Sequence, residues 1–266
     1  MIKVIRASTR LKAWLEASEW LLGAGPSFNL LLDIESPGSD GAAAKPAYTA
    51  IDELYAEEDA YPLHTVAETI FPGWEYKKRG IKGVFETYAQ HEYPHVAKVN
   101  QWGTYAQRIL RRETKKGVTN PLEALIRKMH MARTVTTPFR SCYELSMGSM
   151  EYEIPLYRDE SDGNKLRQLP CLSHLSFKLF QDKVHLTAIY RSHDYRHKVV
   201  GNLLGLARLQ ACVAHEVGVG IGGMVIHSTY AWVEGRKSRF KQLLSEVSKI
   251  VEEAEGNIKG ASNDVA

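Results

Sequence analysis

The chain has 266 residues, of which 44% are hydrophobic and 24% are charged, and its formal net charge at pH 7 is +3. This composition is that of an ordinary globular domain, and the Lys and Arg residues are too dispersed to form a nucleic-acid track. No stretch reaches the roughly 20 apolar residues of a membrane span, and the first residues lack the apolar core of a signal peptide. We therefore expect a cytoplasmic protein with a single domain over residues 1–266 and a polar tail from about residue 256.

The first half of the chain is predicted to be mainly helical. Apolar residues at helical spacing predict a helix over residues 8–22, with Ser8 as its N-cap and Gly23 at its end. A buried strand is expected over residues 28–34, and the Gly-, Pro- and Ala-containing residues 36–46 predict a surface loop. Further helices are predicted over residues 48–57, 63–70, 83–91, 104–112 and 121–132.

The second half is predicted to hold most of the strands. A tight turn is expected at residues 181–183, a polar surface loop at 157–168 and a Gly-rich turn at 218–223. Residues 203–217 predict one central, strongly apolar helix, and residues 238–254 an amphipathic helix. Strands are predicted over residues 141–147, 172–180, 184–192 and 224–233. The pattern as a whole predicts an α+β fold.

Three cysteines, Cys142, Cys171 and Cys212, are present. Their number is odd and no two are closely spaced, so the sequence predicts neither a disulfide framework nor a metal site. A cysteine in an apolar strand is more often a small core residue than a nucleophile. That interpretation is kept for Cys142 and Cys212, whereas the motifs around Cys171 favour a chemical role.

Three motifs of the second half stand at matching separations. They are Pro170-Cys171-Leu172, the strand end Arg191-Ser192-His193-Asp194, and Asn202 at the start of the apolar helix. In these motifs the chain resembles the thymidylate synthase family, which includes pyrimidine nucleotide hydroxymethylases, and the separations match without gaps. The resemblance implies a large, bent, mixed β-sheet flanked by helices, with the sheets of two subunits packed back to back in a homodimer.

Cys171 is expected to be the nucleophile. Carbon 5 of uracil is a poor nucleophile until a thiolate adds to carbon 6, which turns the ring into an enolate able to attack a one-carbon unit. A thiolate needs a neighbouring positive charge to lower its pKa, and the resemblance places Arg191 beside both the sulfur and the substrate phosphate. The implied reaction transfers a one-carbon unit from 5,10-methylenetetrahydrofolate to carbon 5 of dUMP or a related uridylate, giving a 5-methyl product.

Further residues are assigned to the nucleotide and the cofactor by the resemblance. Asn202 would face O4 and N3–H of uracil, because an amide both donates and accepts; the alternative is an N-cap of the following helix. Asp194 would accept hydrogen bonds from the pterin ring of the folate, and the alternative is a solvated loop carboxylate. Ser192, Tyr230 and Trp232 are expected to contact the nucleotide.

Three residues that precede Cys171 complete the expected site. Glu68 resembles the family's glutamate, which orders water and relays protons at carbon 4 of the base. Tyr105, in Trp102-Gly103-Thr104-Tyr105, resembles a tyrosine of the family's Gly-containing segment and is assigned to catalysis. Arg140 would reach the phosphate site of the partner subunit in the homodimer. The alternatives are a surface glutamate, a packing tyrosine and a surface arginine.

The chain departs from the family pattern around the sugar and the cofactor. Leu172 replaces a common histidine, and Tyr230 and Trp232 stand where a ribose-contacting His and Tyr are usual. Lys198 and Gly201 replace the Gly and Phe that line the folate site, and the C-terminus is polar where the family has an apolar closing tail. A lid that excludes water separates methyl transfer from hydration of the intermediate. Hydroxymethylation of dUMP, dCMP or CMP and a non-catalytic nucleotide-binding relative are therefore the alternatives.

Overall fold

A seven-stranded mixed β-sheet organises the fold. The computed structural model describes residues 2–92, 104–114, 117–134, 143–146, 170–235 and 237–263. The strands are β1 (Lys3–Ala7), β2 (Ser27–Ile34), β3 (Arg112–Thr114), β4 (Gly117–Thr119), β5 (Glu144–Ser146), β6 (Leu172–Phe180), β7 (Lys183–Tyr190), β8 (His193–Asp194) and β9 (Gly220–Trp232). The helices are α1 (Arg10–Ala24), α2 (Ala44–Glu57), α3 (Leu63–Glu68), α4 (Gly73–Lys82), α5 (Tyr105–Leu110), α6 (Pro121–Thr134), α7 (Val199–Val217) and α8 (Lys237–Asn263). A 3-10 turn, Gly41–Ala43, precedes α2, and a π-helix, Gly83–Glu92, follows α4.

The strand order in the sheet is β1-β2-β9-β7-β6-β5, with β8 beside β9. The pairs β1 with β2, β7 with β9, and β8 with β9 are parallel, and the other neighbours are antiparallel. β3 and β4 form a separate two-stranded hairpin. The described residues confirm the predicted combination of a mixed sheet with flanking helices. None of the helices in these ranges is both long and apolar enough to cross a membrane.

The hairpin of β6 and β7 leads to the predicted site. The bounds of β6 coincide with the predicted strand over residues 172–180. Gln181 and Asp182 connect the two strands with φ angles of 49° and 54°. Both angles lie in the left-handed region that a two-residue type I′ turn requires. The tight turn is therefore confirmed, although Lys183 already pairs with Phe180 and belongs to β7.

α7 is the central helix of the core. Of its 19 residues 15 are buried, and it lies against β7, β9 and four other helices. The predicted central apolar helix is thus confirmed. It begins one turn earlier than predicted because Val199 and Val200 are buried and continue its apolar surface.

Two glycines allow α3 to lie directly on α7. A Cβ atom at Gly205 would be 2.7 Å from the carbonyl oxygen of Ala67 and 2.9 Å from Cβ of Ile70. A Cβ atom at Gly201 would be 2.6 Å from Cβ of Val66. These distances are shorter than van der Waals contact, so any larger residue at either position would separate the helices.

The ends of α1 differ from the prediction. The helix begins after Thr9, whose hydroxyl accepts from the N–H of Lys12 at 3.4 Å, and it ends at Gly25, which has a φ of 82°. Ser8 and Gly23 are therefore not its caps. The predicted loop over residues 36–46 is shorter than expected, since α2 begins within it. Neither β1 nor α4 is predicted from the sequence.

The C-terminal elements are longer than predicted. β9 begins at Gly220 because its first residues pair with Lys183 and Val184 of β7, so the Gly-rich turn is partly strand. Only Gly218, with a φ of 73°, adopts the left-handed conformation that ends α7. α8 continues to Asn263, beyond the predicted end at residue 254. The predicted surface loop over residues 157–168 lies outside the described residues.

We expect Gly205→Ala to lower the free energy of unfolding by about 1–3 kcal/mol, because the added methyl group overlaps α3. Urea unfolding followed by far-UV circular dichroism measures this change. The matched control is Gly23→Ala in α1, where a methyl group meets no atom within 4 Å. There the better helix propensity should raise stability by up to about 1 kcal/mol. Equal effects of the two substitutions would contradict the close packing of α3 on α7.

Candidate active site

Cys171 and Tyr105 meet at the start of β6. Cys171 directly precedes the strand and is partly buried. The hydroxyl oxygen of Tyr105 accepts hydrogen bonds from the N–H groups of Cys171 at 2.8 Å and of Leu172 at 3.2 Å. Tyr105 begins α5, where Thr104 and Gln107 form a reciprocal capping box. The capping box fixes the start of α5 and therefore the position of Tyr105. The hydroxyl of Tyr105 in turn fixes the backbone at Cys171 through its two hydrogen bonds.

Arg191 lies beside Cys171 because β7 ends next to the start of β6. Its N–H donates to the carbonyl oxygen of Cys171 at 2.8 Å. Its guanidinium group donates to the carbonyl oxygen of Pro170. The structure thus brings together three residues that the sequence assigns to catalysis, Cys171, Tyr105 and Arg191.

The thiol of Cys171 is subject to opposing electrostatic effects. Burial raises its pKa, the positive charges of Arg191 and Lys198 lower it, and the carboxylate of Asp194 raises it. Arg191 thus lowers the pKa as expected, but burial outweighs that effect, and the balance leaves the pKa above its ordinary value. The thiol is therefore protonated at neutral pH, and a nucleophilic role requires the proton to leave when a substrate binds.

Asn202 contacts a histidine and does not cap a helix. Since α7 already begins at Val199, Asn202 lies inside its first turn, and the N-cap alternative is wrong. The side-chain nitrogen of Asn202 lies 3.0 Å from Nε2 of His193. Nδ1 of His193 lies 3.0 Å from Oγ of Ser228. All three side chains are buried.

His193 is a neutral imidazole that the sequence analysis does not single out. Its ring stacks on Tyr190 with centroids 3.9 Å apart and an angle of 8° between the ring planes. Burial lowers its pKa to about 3, so the ring is uncharged at neutral pH. Because it occupies the free position of the Arg-Ser-x-Asp motif, no motif marks it. Its contact with Asn202 is a tertiary one.

Asp194 is a buried carboxylate that holds the segment between β8 and α7. One oxygen accepts from the backbone N–H groups of Arg196 at 3.0 Å and Glu234 at 3.3 Å. The other accepts from the N–H of His197 at 3.1 Å and contacts its Nδ1 at 3.2 Å. Burial raises the pKa of Asp194, but these hydrogen bonds lower it below its ordinary value. The alternative of a solvated carboxylate is wrong, because only 7% of the residue is exposed.

His197 lies between three carboxylates. Its Nδ1 is 3.2 Å from Asp194 and 3.6 Å from Glu234. Its Nε2 is 2.7 Å from Glu58, which also pairs with Arg196. Burial lowers the pKa of His197, but the hydrogen bonds to Asp194 and Glu58 outweigh that effect and raise it.

A metal ion could be considered at this cluster, since Asp194, His197 and Glu234 place ligand atoms within 4.8 Å of one another. Both imidazole nitrogens, however, already face carboxylates, and Asp194 accepts backbone hydrogen bonds. A metal ligand must offer a lone pair toward the ion, whereas both nitrogens of His197 are directed at carboxylate oxygens. The cluster is therefore a hydrogen-bond network that includes the ion pair of Arg196 with Glu58.

Ser192, Trp232 and Tyr230 lie where β8 meets β9. The indole Nε1 of Trp232 donates to Oγ of Ser192 at 3.1 Å. The ring of Tyr230 packs on Phe28 with centroids 5.4 Å apart. Two of the residues expected at the nucleotide thus contact each other, and the third rests against β2.

Glu68 is the last residue of α3 and faces α7. It accepts hydrogen bonds from Nη1 of Arg208 at 2.8 Å and from the N–H of Trp74 at 3.2 Å. Arg208 also contacts Nδ1 of His64 at 2.6 Å, and it belongs to α7, as Asn202 does. Glu68 is therefore an ion-paired, partly exposed carboxylate, and its part in proton transfer stays a prediction.

Arg140 and Cys142 lie outside the described residues, so the expected contact of Arg140 with a partner's phosphate site stays a prediction. Cys212 is fully buried in α7, and burial raises the pKa of its thiol. The interpretation of Cys212 as a core residue is thus confirmed.

The surroundings of His197 predict a pH-dependent stability. Its pKa in the folded protein lies above the ordinary value of 6.5. The stabilisation is therefore fully present below that value and is lost as the pH rises through the folded pKa. We expect the free energy of unfolding of the wild type to decline relative to His197→Gln as the pH is raised through this range.

Urea unfolding at successive pH values measures this difference. The matched control is His130→Gln, which changes an exposed histidine of α6 and should leave the profile parallel to that of the wild type. If His197→Gln also ran parallel to the wild type, the pairing of His197 with its carboxylates would be contradicted.

Archaeal proteins with the name "Putative thymidylate synthase" match part of this chain. That of Methanosarcina mazei is 41% identical over 69 residues, which are 26% of this chain and 32% of that protein. That of Methanothermobacter marburgensis is 35% identical over 94 residues, 35% of this chain and 40% of that protein. That of Methanocaldococcus jannaschii is 34% identical over 76 residues, 29% of this chain and 32% of that protein. No family model matches the chain.

These similarities are partial. The chain spans between 32% and 40% of the length of these three relatives, so similarity alone does not transfer their activity as whole proteins. Their printed names agree with the family that the sequence motifs resemble. Over about a quarter to a third of its length the chain is therefore similar to archaeal proteins named "Putative thymidylate synthase".

Proposed function

We propose that the chain transfers a one-carbon unit to carbon 5 of a pyrimidine nucleotide, with Cys171 as the nucleophile. The proposed substrate is dUMP or a related uridylate, the donor is 5,10-methylenetetrahydrofolate, and the product is the 5-methyl nucleotide. The observation that carries the proposal is the convergence of Cys171, Tyr105 and Arg191 at one strand end. A cysteine that only fills the core needs neither a tyrosine hydroxyl at its N–H nor a cation beside its sulfur.

The reaction begins with loss of the thiol proton, which Arg191 and Lys198 favour and burial opposes. The sulfur then bonds to carbon 6, the electrons of the 5,6 double bond move onto O4, and carbon 5 becomes nucleophilic. After carbon 5 has bonded to the one-carbon unit, it would release its proton as the bond from that unit to its donor breaks, leaving an exocyclic methylene group on carbon 5. Hydride added to this group would then give the 5-methyl enolate. The sulfur–carbon bond breaks as the double bond forms again.

The substrate contacts follow from the same arrangement. The side chain of Arg191 is exposed, so its guanidinium group can pair with a phosphate. Within the described residues no group donates to the side-chain oxygen of Asn202, which can therefore accept from the base. Ser192, Trp232 and Tyr230 are assigned to the phosphate and sugar.

The folate donor supplies the one-carbon unit and, for a 5-methyl product, a hydride. Asp194 is the residue expected to hold its pterin ring, but each of its oxygens already accepts two hydrogen bonds. A carboxylate offers about four lone-pair positions in all. Asp194 as arranged here therefore does not fit a pterin, and no step of the proposal depends on that contact. Asp194 instead stabilises the segment before α7 by accepting hydrogen bonds from its backbone N–H groups.

Hydroxymethylation of carbon 5 in dUMP, dCMP or CMP is a second candidate. Lys198 is exposed, and its charge acts on the thiol of Cys171. A charged, hydrated side chain at this place makes exclusion of water harder, and water at the intermediate gives the hydroxymethyl product. Product analysis by mass distinguishes the two outcomes.

A homodimer is part of the proposal. Side chains such as Leu31, Thr187 and Val225 alternate with the buried ones along β2, β7 and β9 and are only partly buried. This second face of the sheet suits packing against the same face of another copy. Arg140 would then reach the phosphate site of the partner subunit.

We expect Cys171→Ser to abolish tritium release from dUMP labelled at carbon 5, because that release requires sulfur addition to carbon 6. The wild type should also form a covalent adduct with 5-fluoro-dUMP and methylenetetrahydrofolate, seen as an increase in protein mass at the peptide that contains Cys171. Both measurements report addition even when the final product is unknown.

The matched control is Cys212→Ser, which changes a cysteine buried in α7 and should retain tritium release. A wild type that shows neither release nor adduct with any uridylate or cytidylate would sink the catalytic proposal and favour a non-catalytic nucleotide-binding relative.

We expect Thr187→Arg to convert the dimer into monomers, because it places a charge in the middle of the proposed interface. Sedimentation velocity measures the change. The control is Val118→Arg on the β3–β4 hairpin, where an exposed apolar residue is replaced outside the sheet. A monomeric wild type, or a dimeric Thr187→Arg, would contradict this interface.

A further inference from the structure

A buried chain of hydrogen bonds connects the start of α7 with β9. The side-chain nitrogen of Asn202 lies 3.0 Å from Nε2 of His193, and Nδ1 of His193 lies 3.0 Å from Oγ of Ser228. Oγ of Ser228 lies 3.2 Å from the hydroxyl oxygen of Tyr195. The four side chains are buried, with Asn202 the most exposed at 6%. None of them is involved in the proton and bond changes proposed above.

The direction of these hydrogen bonds is determined by the state of His193. Burial lowers the pKa of His193 to about 3, so the ring carries one proton. Because the nitrogen of Asn202 donates to Nε2, that atom must hold a lone pair, and the proton resides on Nδ1. Nδ1–H then donates to Ser228, and the hydroxyl of Ser228 donates to Tyr195.

The imidazole has little freedom to turn. Tyr190 stacks on one face with centroids 3.9 Å apart and ring planes 8° apart. Tyr195 contacts it edge-on, with centroids 5.5 Å apart and an angle of 62°. A ring held on two sides keeps Nε2 directed at Asn202.

This fixed acceptor orients the amide of Asn202. A primary amide that is not anchored can turn over and exchange its oxygen and nitrogen with little change in shape. With the imidazole proton on Nδ1, the turned amide would place its oxygen against the lone pair of Nε2, and two buried acceptors would face each other. Relieving this clash requires the proton to move to Nε2 and the hydroxyl groups of Ser228 and Tyr195 to reverse their hydrogen bonds. The nitrogen of Asn202 is therefore held toward His193, and the oxygen is held away from it.

We propose that His193 is a specificity-determining positioning residue, which fixes the order of donor and acceptor that Asn202 presents to the pyrimidine. This inference rests on the proposed function. Uracil offers the donor N3–H beside the acceptor O4, whereas cytosine offers the acceptor N3 beside a donor amino group. An amide free to turn over can match either base, and an amide held by His193 matches one of them. Given a uridylate substrate, that base is uracil.

The sulfur–carbon bond makes the discrimination effective. Once Cys171 has bonded to carbon 6, the pyrimidine ring cannot rotate to present its edge in the opposite order. In a cytosine at the same position, the amino group would face the amide nitrogen of Asn202, so that two donors meet. Its N3 would face the amide oxygen, so that two acceptors meet. Discrimination therefore appears in the addition step, where both bases can be compared in one assay.

The test compares tritium release from dUMP and from dCMP, both labelled at carbon 5, in the wild type and in His193→Gln. Glutamine can donate or accept and so does not hold Asn202 in one orientation. We expect the ratio of kcat/KM values for dUMP over dCMP to fall about tenfold or more, the effect of losing one buried hydrogen bond. General damage to the fold lowers both rates and leaves the ratio unchanged. Cys212→Ser is the control that should retain the wild-type ratio.

Imidazole nitrogen chemical shifts from NMR provide a second measurement on the unaltered protein. The His193 signals, assigned by their loss in His193→Gln, should show an unprotonated Nε2 and a protonated Nδ1. A proton on Nε2, or an unchanged dUMP to dCMP ratio in His193→Gln, would overturn the proposal.

Failure of the catalytic proposal gives a different result. If the wild type releases tritium from neither nucleotide, the proposed function fails, and calorimetric binding of dUMP and dCMP then tests His193 in the same two proteins. Loss of a binding preference in His193→Gln would support the positioning role. Equal binding of both nucleotides by the wild type, or no binding of either, would refute it.

Discussion

The hydrogen bond from the N–H of Arg191 to the carbonyl oxygen of Cys171 is the contact on which the candidate site depends. It extends the pairing of β6 and β7 beyond their regular ladder, so that a cysteine before one strand and an arginine after the other lie side by side. The chain then continues directly into His193, which stacks back on Tyr190 and meets Asn202 from α7. One extended ladder therefore positions the thiol, the cation and the amide relative to one another.

Burial and charge act against each other throughout this site. At Cys171 and His193 burial prevails, and both groups are neutral at physiological pH. At Asp194 and His197 hydrogen bonds prevail, so that the pKa of the carboxyl group is lowered and the pKa of the imidazole is raised. The thiol of Cys171 and the imidazole of His193 are thus uncharged at rest, although the cation of Arg191 lies beside the thiol. The bordering segment is held by the hydrogen bonds of Asp194 and the ion pair of Arg196 with Glu58. Such an arrangement leaves the thiol dependent on a bound ligand for its ionisation.

Close packing of helices explains one departure from the family pattern. Gly201 stands where a larger residue is usual, and Val66 of α3 occupies the space that its side chain would need. The same helix carries Glu68 at its end, ion-paired with Arg208 of α7. Because residue 201 is a glycine, no side chain projects from it toward the expected folate site, and α3 can contact α7 directly.

Sequence alone determined the features that depend on residues close together in the chain. These are the bounds of β6, the apolar character of α7 and the turn between β6 and β7. It also predicted that Cys171, Arg191 and Asn202 belong together, because their separations match a known pattern. Tertiary structure decided the raised pKa of the thiol, since that pKa reflects burial and charges from several segments. It also decided that hydrogen bonds already occupy both carboxylate oxygens of Asp194 and that His193 contacts the amide of Asn202. Periodicity reports which face of an element is buried, whereas a hydrogen bond between distant residues exists only once the chain has brought both ends together.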